Sequence, residues 1–589
     1  MEEKDLEKEN KQQMYRHSMS HILAKAIKSL WGDVKFAIGP AIDNGFYYDI
    51  DMEHSITPED FGKIEDKMRE IINNNEDFVR FELSKEEALE KFKDNPYKVE
   101  LINDLPEGEL ITMYRTGDDF YDLCRGPHVE NTKFLRGFAF KINRVSGAYW
   151  RGSEKNKMLQ RVYFYGFLDK NDLKECLRLE EEAKARDHRK LGKDLDIFMF
   201  SDLVGKGLPM WLPKGFILRR TLSDYIMNKE IALGYQHVMT PSLGNVNLYK
   251  TSGHWEHYKE DMFPAMECED EAYVLRPMNC PHHMVMYKNS MHSYRDLPIR
   301  IAEIANDFRF EASGALCGIE RTRAFTQNDS HIFCRPDQIK QEVEQVIKLI
   351  LDVYKDFGLK KYKFRLSLRD KNNVEKYFGN DELWEKSETA LREILKDSGA
   401  EYYEAEGEAA FYGPKIDVQV NSAIGHDITL STVQVDYQLP VKFDLEYINE
   451  QGAKMHPVVI HRAVFGSLER TIAFIIEETK GAFPAWLAPT QVKVITVSEK
   501  NNEYANLVAD KLTACGLRVE KDLDNESVGK KIRSAVMYKI PYILVLGDKE
   551  MADNTVAVRK RGSQDTTSMS FDEFKDEILN NVASKSLTL

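Results

Sequence analysis

The chain has 589 residues, more than a single hydrophobic core usually serves, so it divides into two to four domains. Its 42% apolar and 30% charged residues exclude a fibrous or disordered chain, and its net charge of −15 gives no general electrostatic grip on nucleic acid, so any RNA contact needs a local basic patch. Seven scattered cysteines without C-x-x-C spacing argue against a disulfide framework, and MEEKDLEKENKQQ is not a leader; with no run of 18 apolar residues, the chain reads as cytoplasmic with no membrane partner.

From His17 the stretch HSMSHILAKAIKSLW has helical apolar spacing, and IGPAIDNGFYYDID and ELITMYRTGDDFYDLCRGPHV read as strands and turns, which makes residues 1–168 an α+β domain. His17 and His21 share a helix face, and Cys124 and His128 form C-x-x-x-H. This reads equally as a Cys-His₃ zinc site or as a helix with two solvated histidines. Residues 169–193 are densely charged, with apolar residues at three- and four-residue steps, and predict a connecting helix. Residues 194–488 mix helices with strand-like runs such as IDVQVN and ITLSTVQVDYQLP and predict an antiparallel-rich α+β domain. After Ala-Pro at 488 and 489, QVKVITVS, LRVEKDL, PYILVLG and TVAVRKR alternate with helical stretches starting near Asn502 and Val528, which predicts a small α/β domain over 489–589.

No glycine-rich phosphate loop of the P-loop or dinucleotide type is present, so any bound ATP needs side chains on its phosphates. In NDFRFEASGALCGIERTRAFTQNDSHIF, Arg309 and Arg321 or Arg323 stand on two strand-like runs joined by a Gly-containing loop. A hairpin would aim both guanidinium groups at one phosphate, although a charged hairpin exposed to water has the same pattern.

That segment resembles motif 2 of class II aminoacyl-tRNA synthetases, GFILRRTLSDYIMNKEIALGYQHVMTPSL up to Pro241 resembles motif 1, and VFGSLERTIAFIIEE with Arg470 resembles motif 3. RPMNCP, TQNDSHIF and VVIHRAVFGSLER narrow the likeness to the threonyl-tRNA synthetase family. The resemblance implies a multidomain α+β and α/β protein: an editing domain, a class II antiparallel-sheet catalytic domain and an anticodon-binding domain. It implies one catalytic Zn²⁺ per subunit on Cys280, His331 and His461, with positions left open for the amino group and hydroxyl of threonine, so that valine is rejected and serine still fits.

The resemblance further implies ATP with Mg²⁺ as substrate, tRNA(Thr) as partner and a homodimer built on motif 1. Arg309 would hold the α-phosphate and Arg470 the far end of ATP, with Arg321 assisting; Glu311 would lie near the adenine, and Gln327 and Asp329 would face the amino acid. Tyr412, Gln434 and Ser467 match further pocket positions, and His254 matches a residue implicated in transfer to tRNA. In the first domain His17, His21, Cys124 and His128 and, more weakly, Asp122, Tyr48 and Lys141, would form a metal-free site hydrolysing seryl-tRNA. The basic run from Val528 to Gly562 resembles an anticodon-binding domain, with Asn525, Glu550 and Arg559 at anticodon-reading positions. HSMSH begins 17 residues in, so the small amino-terminal module of many members is expected to be missing. Two positions depart from the family pattern: His282 stands where many members carry glycine, a change expected to be benign, and Thr429 where glutamine is common, which puts one adenylate contact in doubt.

Overall fold

The apolar stripe of HSMSHILAKAIKSLW lies on α1 (Glu3–Trp31), where Met19, Ile22, Leu23, Ala26 and Ile27 recur at helical spacing and are fully buried. This computed structural model describes residues 3–589 apart from 107, 109, 374, 378–380 and 424–426. The chain forms two compact units, Met1–Glu182 and Ala183–Leu589. In the first, α1 packs on an antiparallel sheet in which β1 (Gly45–Asp51) pairs with a long strand at Met158–Phe167, itself paired with Ala139–Tyr149. A smaller antiparallel sheet contains β2 (Ile111–Thr116) and β3 (Phe120–Leu123), and the loop after β3 carries Cys124 and His128 back to α1.

The charged segment read as one connecting helix forms two, α2 (Lys170–Arg186) and α3 (His188–Asp194). Asp187 breaks the run by capping α3, its carboxylate accepting the Arg189 N–H at 2.8 Å.

The second unit is built on an eight-stranded sheet. Its centre runs from β4 (Ile299–Phe308) through β5 (Ala324–Cys334) and Val458–Ser467 to Asp427–Asp436, all antiparallel, while a short strand at Gln236–His237 joins the edge in parallel. Side chains alternate across the sheet, so Ile332, Ile460 and Val433 enter the hydrophobic core while their neighbours His331, His461 and Gln434 face the other way. We label Asp427–Asp436 β6, Val458–Ser467 β7 and the following helix, Leu468–Thr479, α4. Ser467 caps α4 by accepting the Arg470 N–H at 3.1 Å.

The carboxy-terminal part of this unit is a five-stranded mixed sheet flanked by helices. It contains the four expected strand runs and a fifth at Thr567–Ser570, a stretch too polar for the pattern to reveal. Among the described residues no helix is long and apolar enough to cross a membrane.

Candidate active site

Strand register builds the centre of the second unit. Gln434 on β6 lies opposite His461 on β7, and His461 lies opposite His331 on β5, so three polar side chains form one row across three strands. Cys280 enters at the first turn of a helix, Cys280–Lys288, and the donor atoms of Cys280, His331 and His461 all lie within 4.8 Å of one another. All three residues are buried.

This donor set fits a metal ion. Nε2 of His331 is buried and has no hydrogen-bond partner among the described residues. Burial pushes the Cys280 thiol well above its ordinary pKa and the His331 imidazole well below, the nearby Asp329 and Asp307 adding to the first effect and the neighbouring His461 to the second. A bare imidazole nitrogen facing a buried thiol leaves a lone pair unmatched, and a cation that takes a thiolate and two imidazoles satisfies all three. The nitrogens pointing away are already held: His461 Nε2–H donates to Asp436 Oδ2 at 2.9 Å, and Nδ1 of His331 meets Nδ1 of His283 at 2.8 Å.

The three residues open onto a cavity of about 290 Å³ that also receives most of the other sequence-predicted groups. Arg309 lies on its wall with Nε unpartnered among the described residues and its guanidinium 5.0 Å from the Phe325 ring. Arg470 comes from the first turn of α4, its Nε donating to the Glu320 carbonyl at 3.4 Å. Arg321 and Glu311 pair at 2.9 Å, whereas Arg323 turns aside, donating to the Glu311 carbonyl. Gln327 and Ser467 face each other across β5 and β7, next to a register shift between Gln327 and Asp329. Asp329 is buried, and burial raises its carboxyl well above the usual range. Tyr412 Oη donates to Gln434 Oε1 at 2.6 Å, and its ring lies 5.0 Å from that of His461.

Thr429 lines the same cavity, while the partly buried His282 does not. His254 is fully buried behind the wall: Ser252 Oγ meets its Nδ1 at 2.7 Å, and its Nε2 lies 3.3 Å from the sulfur of Met278, which does reach the cavity. Burial lowers its pKa to about 3, so it is neutral at pH 7.

The first unit gathers a second cluster. Cys124 Sγ lies 3.2 Å from His17 Nε2 and 3.1 Å from His128 Nε2, and with His21 the four donors fall within 4.8 Å of one another. Burial pushes the Cys124 thiol up to about 12 and lowers His17, His21 and His128. Buried Asp122 bonds Tyr48 Oη and pairs with Lys98 Nζ at 2.5 Å. Lys98 is a residue that sequence reasoning missed: it lies on the helix Pro96–Asn103, outside every motif, and only the fold brings it to Asp122. Lys141 is half-exposed and pairs instead with Glu65 at 3.5 Å.

In the carboxy-terminal part Asn525 is exposed. Glu550 accepts the Gly547 N–H at 3.0 Å and Arg559 donates to the Ser563 carbonyl at 3.1 Å, so both have local structural partners. Lys531, counted in the basic run, is buried and donates to the carbonyls of Thr496 and Asp522, which takes one charge off the surface.

A largely antiparallel sheet with the motif arginines at its strand and helix ends, beside a Cys-His-His set, defines a class II aminoacyl-tRNA synthetase core. Residues 263–479 match the family model for the class II tRNA synthetase core domain (G, H, P, S and T), residues 491–581 the anticodon binding domain, and residues 111–163 the threonyl and alanyl tRNA synthetase second additional domain. The chain is 58% identical to a threonine–tRNA ligase of Geobacillus sp. over 95% of its own length and 87% of the relative's. It is 56% identical to threonine–tRNA ligase 1 of Bacillus subtilis, with the same coverage. A crystal structure of the RNA binding domain of threonyl-tRNA synthetase from Cryptosporidium parvum matches with a TM-score of 0.64 at 38% identity, covering 67% of this chain and 98% of that one. The chain belongs to the threonine–tRNA ligase family, the editing-associated domain included.

Proposed function

We propose that the central cavity joins threonine to tRNA(Thr) in two steps and that the first-unit cluster hydrolyses seryl-tRNA(Thr). The observation that carries the first half is the shared cavity: the Cys280, His331 and His461 donors open into the space faced by Arg309 and Arg470. Cys280, His331 and His461 would hold Zn²⁺, which would bind the amino group and hydroxyl of threonine.

Arg309 and Arg470 stabilise the charge that builds on the phosphates of Mg²⁺-ATP while threonine's carboxylate attacks the α-phosphate and pyrophosphate leaves. Arg321 and Glu311 border the nucleotide, and Gln327, Asp329, Tyr412, Gln434 and Ser467 border the aminoacyl group. In the second step the terminal ribose hydroxyl of tRNA attacks the adenylate's carbonyl and AMP leaves; His254, buried against Met278, would act here by positioning the cavity wall. Anticodon reading by Asn525, Glu550 and Arg559 belongs to the same proposal.

Serine presents the same amino and hydroxyl groups as threonine, so mischarging follows from the chemistry of selection, and a second site is required to remove it. His17, His21, Cys124 and His128, with Asp122 behind them, offer neutral imidazoles and a protonated thiol to position water and move a proton. A homodimer is supported by the exposed apolar side chains around the motif 1 helix, among them Phe216, Ile231, Leu233 and Met239.

The test is amino-acid-dependent ATP–pyrophosphate exchange by the full-length protein. Threonine should support exchange strongly, serine weakly, and valine and proline negligibly. Exchange with proline in place of threonine would refute the proposal.

A further inference from the structure

We propose that His188 is a positioning residue for ATP, tying the loop that carries Glu311 and Arg321 to the helix that carries Arg470. This rests on the assignment of the central cavity to ATP above.

His188 is the first residue of α3 and its side chain is 3% exposed. Its two ring nitrogens have different partners. Nδ1 lies 2.7 Å from Oε1 of Glu477, near the end of α4, and its own backbone N–H reaches the same oxygen at 3.3 Å. Nε2 lies 3.3 Å from the backbone nitrogen of Ile319, which donates to it. The carboxylate requires a proton on Nδ1 and the amide requires a lone pair on Nε2, so neutral imidazole in one tautomer makes both bonds.

The loop approaches this closely because residue 318 is glycine. Gly318 has φ of +48°, and a Cβ there would stand 2.2 Å from Nε2 of His188. The adjoining Glu320 carbonyl accepts from Arg470, so the loop tip is held from two sides, by His188 and by the arginine itself. Arg186 strengthens the anchorage by donating to the Glu477 and Glu478 carbonyls at 2.8 Å each, at the carboxy-terminal end of α4. His188 thereby fixes the separation between Arg470 and the Glu311–Arg321 pair.

Two substitutions separate the bonds. His188→Asn places an amide N–H near the Nδ1 position and offers Ile319 nothing, whereas His188→Gln can extend its oxygen to where Nε2 lies. In zinc-replete full-length protein, His188→Asn should raise the KM for ATP in threonine-dependent exchange about five- to tenfold, the loss of about one hydrogen bond, and leave the KM for threonine unchanged. Hydrogen exchange at the Ile319 amide should accelerate in parallel, and His188→Gln should restore both readouts toward wild type. Wild-type ATP affinity and unaltered Ile319 protection in His188→Asn would overturn the inference. So would an equal loss of ATP and threonine affinity in both variants together with a lowered melting temperature, which marks a merely structural residue. Lack of exchange by the wild type would instead defeat the functional assignment, and Ile319 protection would still report on the His188 tie.

Discussion

Nδ1 of His283 lies 2.8 Å from Nδ1 of His331, and the other ring nitrogen of His283 faces Oε2 of Glu303 at 3.2 Å. The carboxylate accepts, so His283 Nε2 carries a proton and its Nδ1 is bare. His331 must then donate from Nδ1, which leaves its Nε2 as the lone pair presented to Cys280 and His461. Glu303 is itself fixed by Thr240, whose hydroxyl donates to it at 2.7 Å. A carboxylate–imidazole–imidazole chain thus sets the tautomer of one ligand, as Asp436 sets that of His461.

His283→Ala should weaken zinc binding about 10- to 100-fold, measured by competition with a chromophoric chelator, and excess zinc should restore exchange activity. Unchanged zinc affinity would show that His331 holds its tautomer without His283.

His21→Ala should lower deacylation of seryl-tRNA by about 10²–10⁴-fold while threonine-dependent exchange stays at the wild-type rate. Lys98→Met should reduce the same hydrolysis through Asp122. Wild-type deacylation by His21→Ala would remove the cluster from the editing reaction.

The three histidines of the cluster also make the first unit sensitive to acid. Burial lowers the folded-state pKa of His17, His21 and His128 below the unfolded value of about 6.5, so the unfolded chain binds more protons as pH falls. Their contribution is complete above pH 6.5 and is lost progressively below it, at up to about 1.4 kcal/mol per pH unit for each histidine. The melting temperature should fall between pH 7 and pH 5, and His21→Gln should flatten that slope; an identical slope in the variant would contradict the assignment. Cys124, with its thiol held up near 12, should react with iodoacetamide at pH 8 at least about tenfold more slowly than exposed Cys268 and Cys515.

Sedimentation at micromolar concentration should give twice the chain mass. Phe216→Glu with Met239→Glu should shift it toward the monomer. A monomeric wild type would rule out the motif 1 interface.

Strand, loop and strand follow one another around Arg309 and Arg321, so local structure brings both to one cavity, but an exposed charged hairpin has the same pattern and only the family resemblance pointed them at a nucleotide. Cys280, His331 and His461 were legible only through family resemblance: their meeting depends on the β5–β7 register, a long-range property that no local spacing encodes. The groups that hold them were missed altogether. His282 drew notice as a departure from the family pattern, yet its neighbour His283 is the one aimed at His331, and Glu303 and Asp436 sit on strands whose alternation marks them only as facing the site. Lys98 and His188 had no signal either, because each acquires its partner from an element distant in sequence. Lys531 shows the converse: a charge run on a helix reads as surface, but its ammonium is spent on two carbonyl groups inside the fold.

The most direct test measures bound zinc and exchange activity together in wild type and Cys280→Ser. Wild-type protein should carry one zinc per chain and support exchange with threonine and, weakly, serine, but not valine; Cys280→Ser should lose both the metal and the threonine-dependent exchange. Full exchange with threonine by zinc-free protein, with valine still rejected, would contradict the claim that these three residues select the substrate through a bound metal.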